Sequence, residues 1–249
     1  AGEKAGIIVP GVPVIYDGND KDAAEVIAAK AKELGSPAYK VIQAGAKVLG
    51  NNKDGIDFSL EDDYYGDTRF HIPFIAWYQV MNASLALTTM EVLKDRIPVT
   101  MEQLQAGIAN TRWQGRMETI LPGVIVDGAH NEDGVRRFVE TAERFQKEYP
   151  LTLLFSAVND KDYQDMIHTI CSRIKFRKVV TTEVGGYREV PSAELAEIFC
   201  KEGCKDVGNS DNIEEAFHMA HEAKGEDGML FCVGSLYLVG EIKTLLLKK

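Results

Sequence analysis

The residues best placed to do chemistry lie in the stretch V-I-V-D-G-A-H-N at positions 124–131. Its apolar start predicts a short buried strand, with Asp127 where the strand ends and Asn131 as the cap of a following helix. Ligands of open parallel sheets bind beyond the carboxyl ends of the strands, where polar side chains and helix N-termini converge. We therefore expect Asp127, His130 and Asn131 to lie at a binding site.

Arg116 and Ser235 have local contexts of the same kind. Arg116 follows Gly115, and its planar, permanently charged guanidinium suits a phosphate or a carboxylate. Ser235 follows Gly234 at the end of an apolar run, where the backbone N–H groups of a helix start can hold an anion. The residues alone leave plainer alternatives open, namely a surface arginine, a helix-capping serine and, for His130, a structural loop histidine.

The segment after about residue 113 shows the regular alternation of strands and helices that is typical of an α/β fold. The pattern predicts a Rossmann-like, mostly parallel sheet with helices on both faces, and Ser192 and Asp211 as helix caps. The absence of G-x-G-x-x-G argues against a dinucleotide site. The expected strands are 124–127, 151–157, 178–182, about 205–207 and 229–233, and the expected helices are 132–147, 162–175, 193–201, 212–223 and 236–247.

The first 112 residues have a less regular pattern. Thr100 and Gln103 form a capping-box pattern, and Gln79 and Asn82 share one face of a long helix, where exposed polar residues are the plain interpretation. A chain of 249 residues can form two modest domains, and we expect a boundary after residue 112. The expected elements are strands 12–16, 39–42, 55–60 and 68–72 and helices 24–34, 75–94 and 100–110.

Composition limits the class of partner. A formal net charge of -10 and a pI near 5.1 argue against nucleic acid and anionic membranes as partners. No apolar run approaches the roughly 20 residues that span a bilayer, and no signal peptide is visible. The cysteine spacing is not that of a zinc site and indicates buried free thiols in a cytoplasmic protein. His218 and His221 are three residues apart, but no third metal ligand is evident nearby.

Several stretches together resemble one family. W-Q-G-R-M-E at 113–118, followed by P-G-V-I-V-D-G-A-H-N, resembles the signature of folylpolyglutamate and dihydrofolate synthases, a branch of the Mur ligase superfamily. E-K-A-G-I at 3–7, Y-Q-x-x-N-A at 78–83 and G-S-L-Y-L-V-G-E at 234–241 agree with it. The resemblance extends along the whole chain in the family's order.

The resemblance implies an ATP-dependent ligase that adds glutamate to folate. ATP phosphorylates the substrate carboxylate, and the amino group of glutamate attacks the acyl phosphate, with Mg²⁺ as cofactor. Residues 1–112 would be the later part of a Mur-type ATP-binding domain, and residues 113–249 the carboxy-terminal ligase domain. The family's Gly-rich phosphate loop is absent from the sequence. We therefore expect a fragment that lacks the N-terminal part of the enzyme and is inactive alone.

The resemblance also implies roles for individual residues. Gln79 and Asn82 would approach the adenine of ATP, although the histidine that usually precedes the glutamine is Tyr78 here. Arg116 and Asp127 would contact parts of ATP other than the adenine.

Three residues would serve the reaction itself. His130 would lie near the γ-phosphate and the incoming amino acid, and Ser235 would bind that amino acid. Lys4, in E-K-A-G-I, would be carbamylated and so become an oxygen ligand for Mg²⁺. From the residues alone, Lys4 has the pattern of a solvated surface lysine.

Two alternatives remain open at this point. Another Mur-superfamily ligase would act on a peptidoglycan precursor or a related carboxylate. A non-catalytic α/β binding module would have the same fold without the reaction.

Overall fold

The structure is a computed structural model that describes residues 1–186 and 188–247. The chain divides into two compact units, Ala1–Arg112 and Trp113–Lys249. The elements of the first unit are α1 (Gly2–Ala5), β1 (Val14–Asp17), α2 (Lys21–Glu33), β2 (Ala38–Val41), β3 (Ala46–Asn52), β4 (Gly55–Leu60), β5 (Phe70–Ile72), α3 (Tyr78–Val92) and α4 (Met101–Ala109).

The first unit contains two small sheets. β1 and β2 pair in parallel and are connected by α2, whose N-terminus is capped by the Asp20 side chain. β3, β4 and β5 form an antiparallel sheet in that order. Phe58, Phe70 and Leu87, all nearly fully buried, belong to the core that this sheet forms with α3.

Sequence expectations for this unit were partly wrong. The predicted strand at 39–42 belongs to the parallel pair and not to the period-two region. β3 was missed because its bulge near Gly50 interrupts the alternation, and the predicted turn residues 50–52 lie within it. α3 begins at Tyr78 rather than at residue 75. The capping box of Thr100 and Gln103 is confirmed.

The second unit is built on one six-stranded sheet. Its strand order is β10-β9-β8-β11-β7-β6, and all neighbours are parallel except β6 and β7. The predicted mostly parallel α/β fold is confirmed. The elements are β6 (Glu118–Leu121), β7 (Val124–Asp127), α5 (Glu132–Phe145), β8 (Leu151–Phe155), α6 (Tyr163–Arg173), β9 (Phe176–Thr182), α7 (Ser192–Lys201), β10 (Val207–Ser210), α8 (Ile213–Lys224), β11 (Met229–Val233) and α9 (Leu236–Leu247).

The centre of this sheet explains where polar side chains collect. β7, β8 and β11 are buried along their whole length, as expected for strands covered on both faces. β11 lies between β7 and β8, because the chain moves outward from β7 to β10 and then returns to the middle of the sheet. The carboxyl ends of these three strands therefore lie next to one another, and ligands of such sheets bind there.

Two predicted helix caps in this unit are wrong. The Ser192 hydroxyl donates a hydrogen bond to the Asp211 carboxylate, so the two side chains engage each other. The backbone N–H of Ser192 instead donates to Glu183 Oε1 at 3.1 Å. Pro191 and Asn212 occupy the cap positions, and the Asn212 side chain accepts from the backbone N–H of Glu215.

Other differences are local. β6 was missed because its four residues merge with the preceding W-Q-G-R-M-E stretch, and β10 begins at Val207 rather than near residue 205. The four cysteines are free, but only Cys232 is buried; Cys171 and Cys204 are half-buried, and Cys200 is exposed. Within residues 1–186 and 188–247, no helix has both the length and the apolar character needed to cross a bilayer.

Candidate functional site

A strained turn before β6 forms one side of the candidate site in the second unit. Gly115 has φ +66° and Met117 has φ +45°, a left-handed conformation that costs a non-glycine residue roughly 1 kcal/mol or more. Two hydrogen bonds hold it in place. Met117 N–H donates to Asp127 Oδ2 at 2.8 Å, and Gly128 N–H donates to the Gly115 carbonyl at 2.8 Å.

Glu118 connects this turn to α9. One of its oxygens accepts from the backbone N–H of Gly115 at 2.8 Å, and the Lys243 ammonium donates to both oxygens at 2.7 and 2.9 Å. Gly115 itself packs close to α9, since a Cβ there would be 3.2 Å from Val239. Side chain, backbone and helix thus fix the position of the turn.

Asp127 ends β7 and is only 4% exposed. Its Oδ1 accepts from Ala129 N–H at 2.8 Å, so both carboxylate oxygens receive backbone donors. Burial raises the pKa of Asp127 from its ordinary value of 3.8 to about 6, against the opposing influence of those two hydrogen bonds and of the charges of Arg116 and His130. Asp127 therefore shapes the loop that carries its polar neighbours.

Arg116 and His130 are the two cationic or titratable side chains beside Asp127. Arg116 is half-buried, and its guanidinium makes no hydrogen bond with any residue that the structure describes. The Nδ1 of His130 lies 2.7 Å from the Gly128 carbonyl. A carbonyl can only accept, so Nδ1 carries a proton, and Nε2 is the ring nitrogen that can accept when it is unprotonated.

Ser235 opens α9 at the neighbouring strand end. Its side chain is buried at 2% exposure, and its hydroxyl accepts from the backbone N–H of Tyr237 at 3.1 Å. The preceding Gly234 has φ +110°, and a Cβ there would lie 2.1 Å from the Ser156 carbonyl oxygen. Only glycine allows the two strand ends to approach so closely.

His130 and Ser235 line the same pocket, of about 200 Å³. Four further polar residues also line it, namely Asp160, Lys161, Arg188 and Tyr237. The structure thus brings together the two residues for which the family resemblance implied contact with the amino-acid substrate, and adds four polar ones.

The pocket has one basic side chain without a counter-charge among the residues described. Arg188 is engaged, since its Nη1 lies 2.7 Å from Asp160 Oδ2 and its Nη2 donates to the Tyr237 hydroxyl at 3.1 Å. Lys161 is half-buried and forms no ion pair within residues 1–186 and 188–247. Sequence reasoning missed Lys161, although N-D-K-D at 159–162 begins four positions after the last residue of β8 and so lies at the same edge of the sheet as Asp127.

The remaining predicted residues belong to the first unit. Gln79 is buried at 3% exposure; its Oε1 accepts from Asn82 Nδ2 at 2.8 Å, and its buried Nε2 has no hydrogen-bond partner among the described residues. Asn82 is exposed, so the interpretation of two exposed polar residues is wrong for Gln79 only. Lys4 is exposed in the short helix α1.

The part of the chain that the structure describes contains no cluster of three or more His, Cys, Asp or Glu side chains that could hold a metal ion. No such cluster therefore lies beside Lys4 in that part. His218 and His221 on α8 likewise belong to no such cluster within that part.

Comparison with known proteins agrees with this architecture. Residues 115–236 match the family described as Mur ligase, glutamate ligase domain. The dihydrofolate synthase/folylpolyglutamate synthase of Bacillus subtilis is 30% identical over 98% of this chain and 56% of its own length. The chain thus spans a little over half the length of this relative.

Solved structures show the same similarity. The folylpolyglutamate synthase of Thermotoga maritima superposes with a TM-score of 0.80 at 25% identity, covering 99% of this chain and 56% of that one. The Mycobacterium tuberculosis folylpolyglutamate synthase, solved with ADP and AMPPCP, shares the fold with a TM-score of 0.75 at 24% identity, covering 98% and 58%. Residues 115–236 therefore belong to the Mur ligase family, and the whole chain is similar to folylpolyglutamate and dihydrofolate synthases.

Proposed function

We propose that this chain is part of an ATP-dependent ligase that joins glutamate to the carboxylate of a folate. The relatives are named as folylpolyglutamate and dihydrofolate synthases, which favours a folate over a peptidoglycan precursor as the substrate. In this proposal residues 1–112 belong to an ATP-binding domain and residues 113–249 form the domain that receives the amino acid. The acidic charge and free thiols fit a cytoplasmic enzyme with small-molecule substrates.

The pocket shared by His130 and Ser235 is the observation that carries this proposal. An amino-acid substrate has carboxylates that need a cation and hydrogen-bond donors. Lys161 supplies a positive charge that no carboxylate among the described residues neutralises, and the start of α9 supplies backbone N–H groups. A volume of about 200 Å³ suits a small amino acid better than a folate.

His130 serves the attack of the amine. Its Nδ1 is anchored on the Gly128 carbonyl, so Nε2 faces its surroundings as a base. As the amine nitrogen bonds to the acyl carbon, the carbon–oxygen bond to phosphate breaks and phosphate leaves. Nε2 takes the proton that the amine loses, and Arg116 balances negative charge on the phosphate.

In this proposal Gln79, Asn82, Arg116 and Asp127 serve ATP. The buried Nε2 of Gln79 lacks a partner among the described residues, and a nucleobase acceptor would satisfy it. The guanidinium of Arg116, which makes no hydrogen bond with those residues either, suits a phosphate. Asp127 holds the Met117 turn beside it and so acts as a positioning residue.

Mg²⁺ does not fit the described residues by themselves. A carbamylated Lys4 would supply one oxygen ligand, but no cluster of further ligands accompanies it in the described ranges. Such a ligand set would have to come from elsewhere in the enzyme.

In this proposal the enzyme also needs a preceding segment with a phosphate-binding loop. The two-stranded sheet of β1 and β2 is smaller than a self-sufficient sheet, and Ile7, Val9 and Val12 are exposed near it. We expect no glutamate- and ATP-dependent turnover from the 249 residues alone. Measurable turnover by the purified chain would contradict this part of the proposal.

The amino-acid pocket can be tested separately by titrating the chain with glutamate in a calorimeter. Lys161→Met should weaken binding roughly tenfold or more, because a charge-assisted hydrogen bond is worth about 1.5–3 kcal/mol. Lys175→Met, an exposed lysine of the same unit outside the pocket, is the matched control and should bind as the unaltered chain does. Equal affinity of the two variants, or no binding by the unaltered chain, would refute the assignment of the pocket.

A further inference from the structure

A pair of thiols in the second unit lies away from the pocket described above. Cys171, on α6, and Cys204, which follows α7, have their sulfur atoms 3.6 Å apart. Both side chains are half-buried, whereas Cys200 is exposed and Cys232 is fully buried. The proposed ligase reaction uses none of the four.

The end of α7 explains why Cys204 faces α6. Gly203 has φ +92°, and the backbone N–H groups of Gly203 and Cys204 donate to the carbonyls of Cys200 and Phe199. These two bonds define a Schellman motif, in which the residue after the left-handed glycine folds back against the helix. Cys204 is therefore held near Cys171 by backbone geometry and lies outside regular helix, where a small shift is possible.

We propose that Cys171 and Cys204 are a redox modification site, at which a peroxide converts the two thiols into an intramolecular disulfide. The sulfur atoms need to approach by about 1.5 Å to reach the bond length of about 2.05 Å. Cys171 is the partner of Cys204 because their sulfur atoms are already in contact, whereas Cys200, although closer in sequence, is exposed.

Cys204 is the sulfur that reacts first. The two sulfur atoms are in hydrogen-bond contact, and either can be the donor. The contact lowers the pKa of Cys204 and raises that of Cys171, as expected when the Cys171 thiol donates, while burial and the Glu202 carboxylate raise both. The thiolate is the nucleophile in such chemistry. A pair that shares one proton in this way has the attacking and the resolving thiol already side by side.

The reaction balances with hydrogen peroxide as the oxidant. Cys204 thiolate attacks one peroxide oxygen, the oxygen–oxygen bond breaks, and the leaving hydroxide takes a proton to become water. The resulting sulfenic acid is attacked by the Cys171 sulfur, which forms the sulfur–sulfur bond and releases a second water. Two thiols are oxidised to one disulfide, and one peroxide is reduced to two waters.

The test treats the purified chain with hydrogen peroxide, alkylates the remaining thiols and maps the peptides by mass spectrometry. We expect loss of the mass of two hydrogen atoms, a linked peptide pair containing Cys171 and Cys204, and reversal by a dithiol reductant. Cys200→Ser, the matched control, should form the same link. Cys171→Ser should stop at an oxidised Cys204 that a sulfenic-acid probe labels.

Other outcomes would overturn the proposal. These are a link between Cys200 and Cys204, intermolecular dimers only, or oxidation of Cys200 while Cys171 and Cys204 remain alkylatable. The unaltered chain decides the question by itself, so a folding defect in a variant leaves the test intact.

Discussion

Replacing Asp127 with asparagine tests the claim that a buried carboxylate holds the loop beside the pocket. Burial raises the pKa of Asp127 from 3.8 to about 6 in the folded chain. At about 1.4 kcal/mol for each tenfold change in the ionisation constant, the buried charge lowers stability by about 3 kcal/mol above pH 6. Asparagine is nearly isosteric and carries no charge.

The sign of the pH dependence follows from proton binding. Between pH 3.8 and about 6 the folded state binds more protons at Asp127 than the unfolded state does. The free energy of unfolding of the unaltered chain, relative to that of Asp127→Asn, therefore increases as the pH falls and decreases as the pH rises through 6. We expect the difference in unfolding free energy to change by about 2 kcal/mol between pH 8 and pH 4.

The substitution also lowers the free energy of unfolding by an amount that does not depend on pH. The amide nitrogen of asparagine cannot accept, so the N–H of Met117 or of Ala129 loses its partner, at a cost of about 1–3 kcal/mol at every pH. The assay is urea-induced unfolding of both chains across the pH range. A difference that is flat with pH, or that favours the variant as the pH falls, would refute the reasoning.

Asp133→Asn provides a control of opposite sign. The hydrogen bond from Arg136 lowers the pKa of the exposed Asp133, so its contribution is present above its unfolded pKa and lost as the pH falls. The unaltered chain should therefore lose its advantage over this variant on acidification. The differences in unfolding free energy for the two variants would then change with pH in opposite directions.

Three further predictions concern stability and can be checked by thermal or urea unfolding. Gly234→Ala should destabilise the chain by more than about 3 kcal/mol, because its Cβ would overlap the Ser156 carbonyl, whereas Gly240→Ala, in open space on α9, should stabilise it by about 0.5–1 kcal/mol. A double-mutant cycle of Glu118→Gln and Lys243→Met should give a coupling of about 1 kcal/mol, since the pair is mostly buried, and zero coupling would contradict its bracing role. The proposed disulfide, which closes a loop across 33 positions, should stabilise the chain by up to about 4 kcal/mol, and an unchanged midpoint would show that strain cancels this.

Sequence patterns predicted the centre of the second unit better than its edges. β7, β11 and α9 have the predicted bounds, because buried parallel strands are continuous apolar runs that glycine and polar residues delimit clearly. β6 is an edge strand of four residues and carries no such run. Ser192 and Asp211 show a second limit. A side chain that is predicted to cap a helix can instead form a hydrogen bond with a residue 19 positions away.

The candidate site was predicted only where a local pattern existed. His130 and Ser235 each follow a buried strand, and the two strands, β7 and β11, are adjacent and parallel. Lys161 follows β8, the other neighbour of β11, and was missed because its side chain has no pairing or spacing signal in the sequence. The absence of a counter-charge for it within the described residues became visible only in three dimensions.

The W-Q-G-R-M-E and V-I-V-D-G-A-H-N stretches contain two kinds of residue. Some stabilise the local backbone conformation, and others have side chains that are free to bind a ligand. Gly115, Met117 and Glu118 are committed to hydrogen bonds or close packing inside the unit, and so is Asp127. Arg116 lies between two of these committed residues, and its guanidinium makes no hydrogen bond with the described residues. These four committed residues thus fix the backbone from which Arg116 projects. Substituting them should therefore reduce stability and activity together, whereas substituting Arg116 should reduce activity in the whole enzyme with little change in the unfolding of this unit.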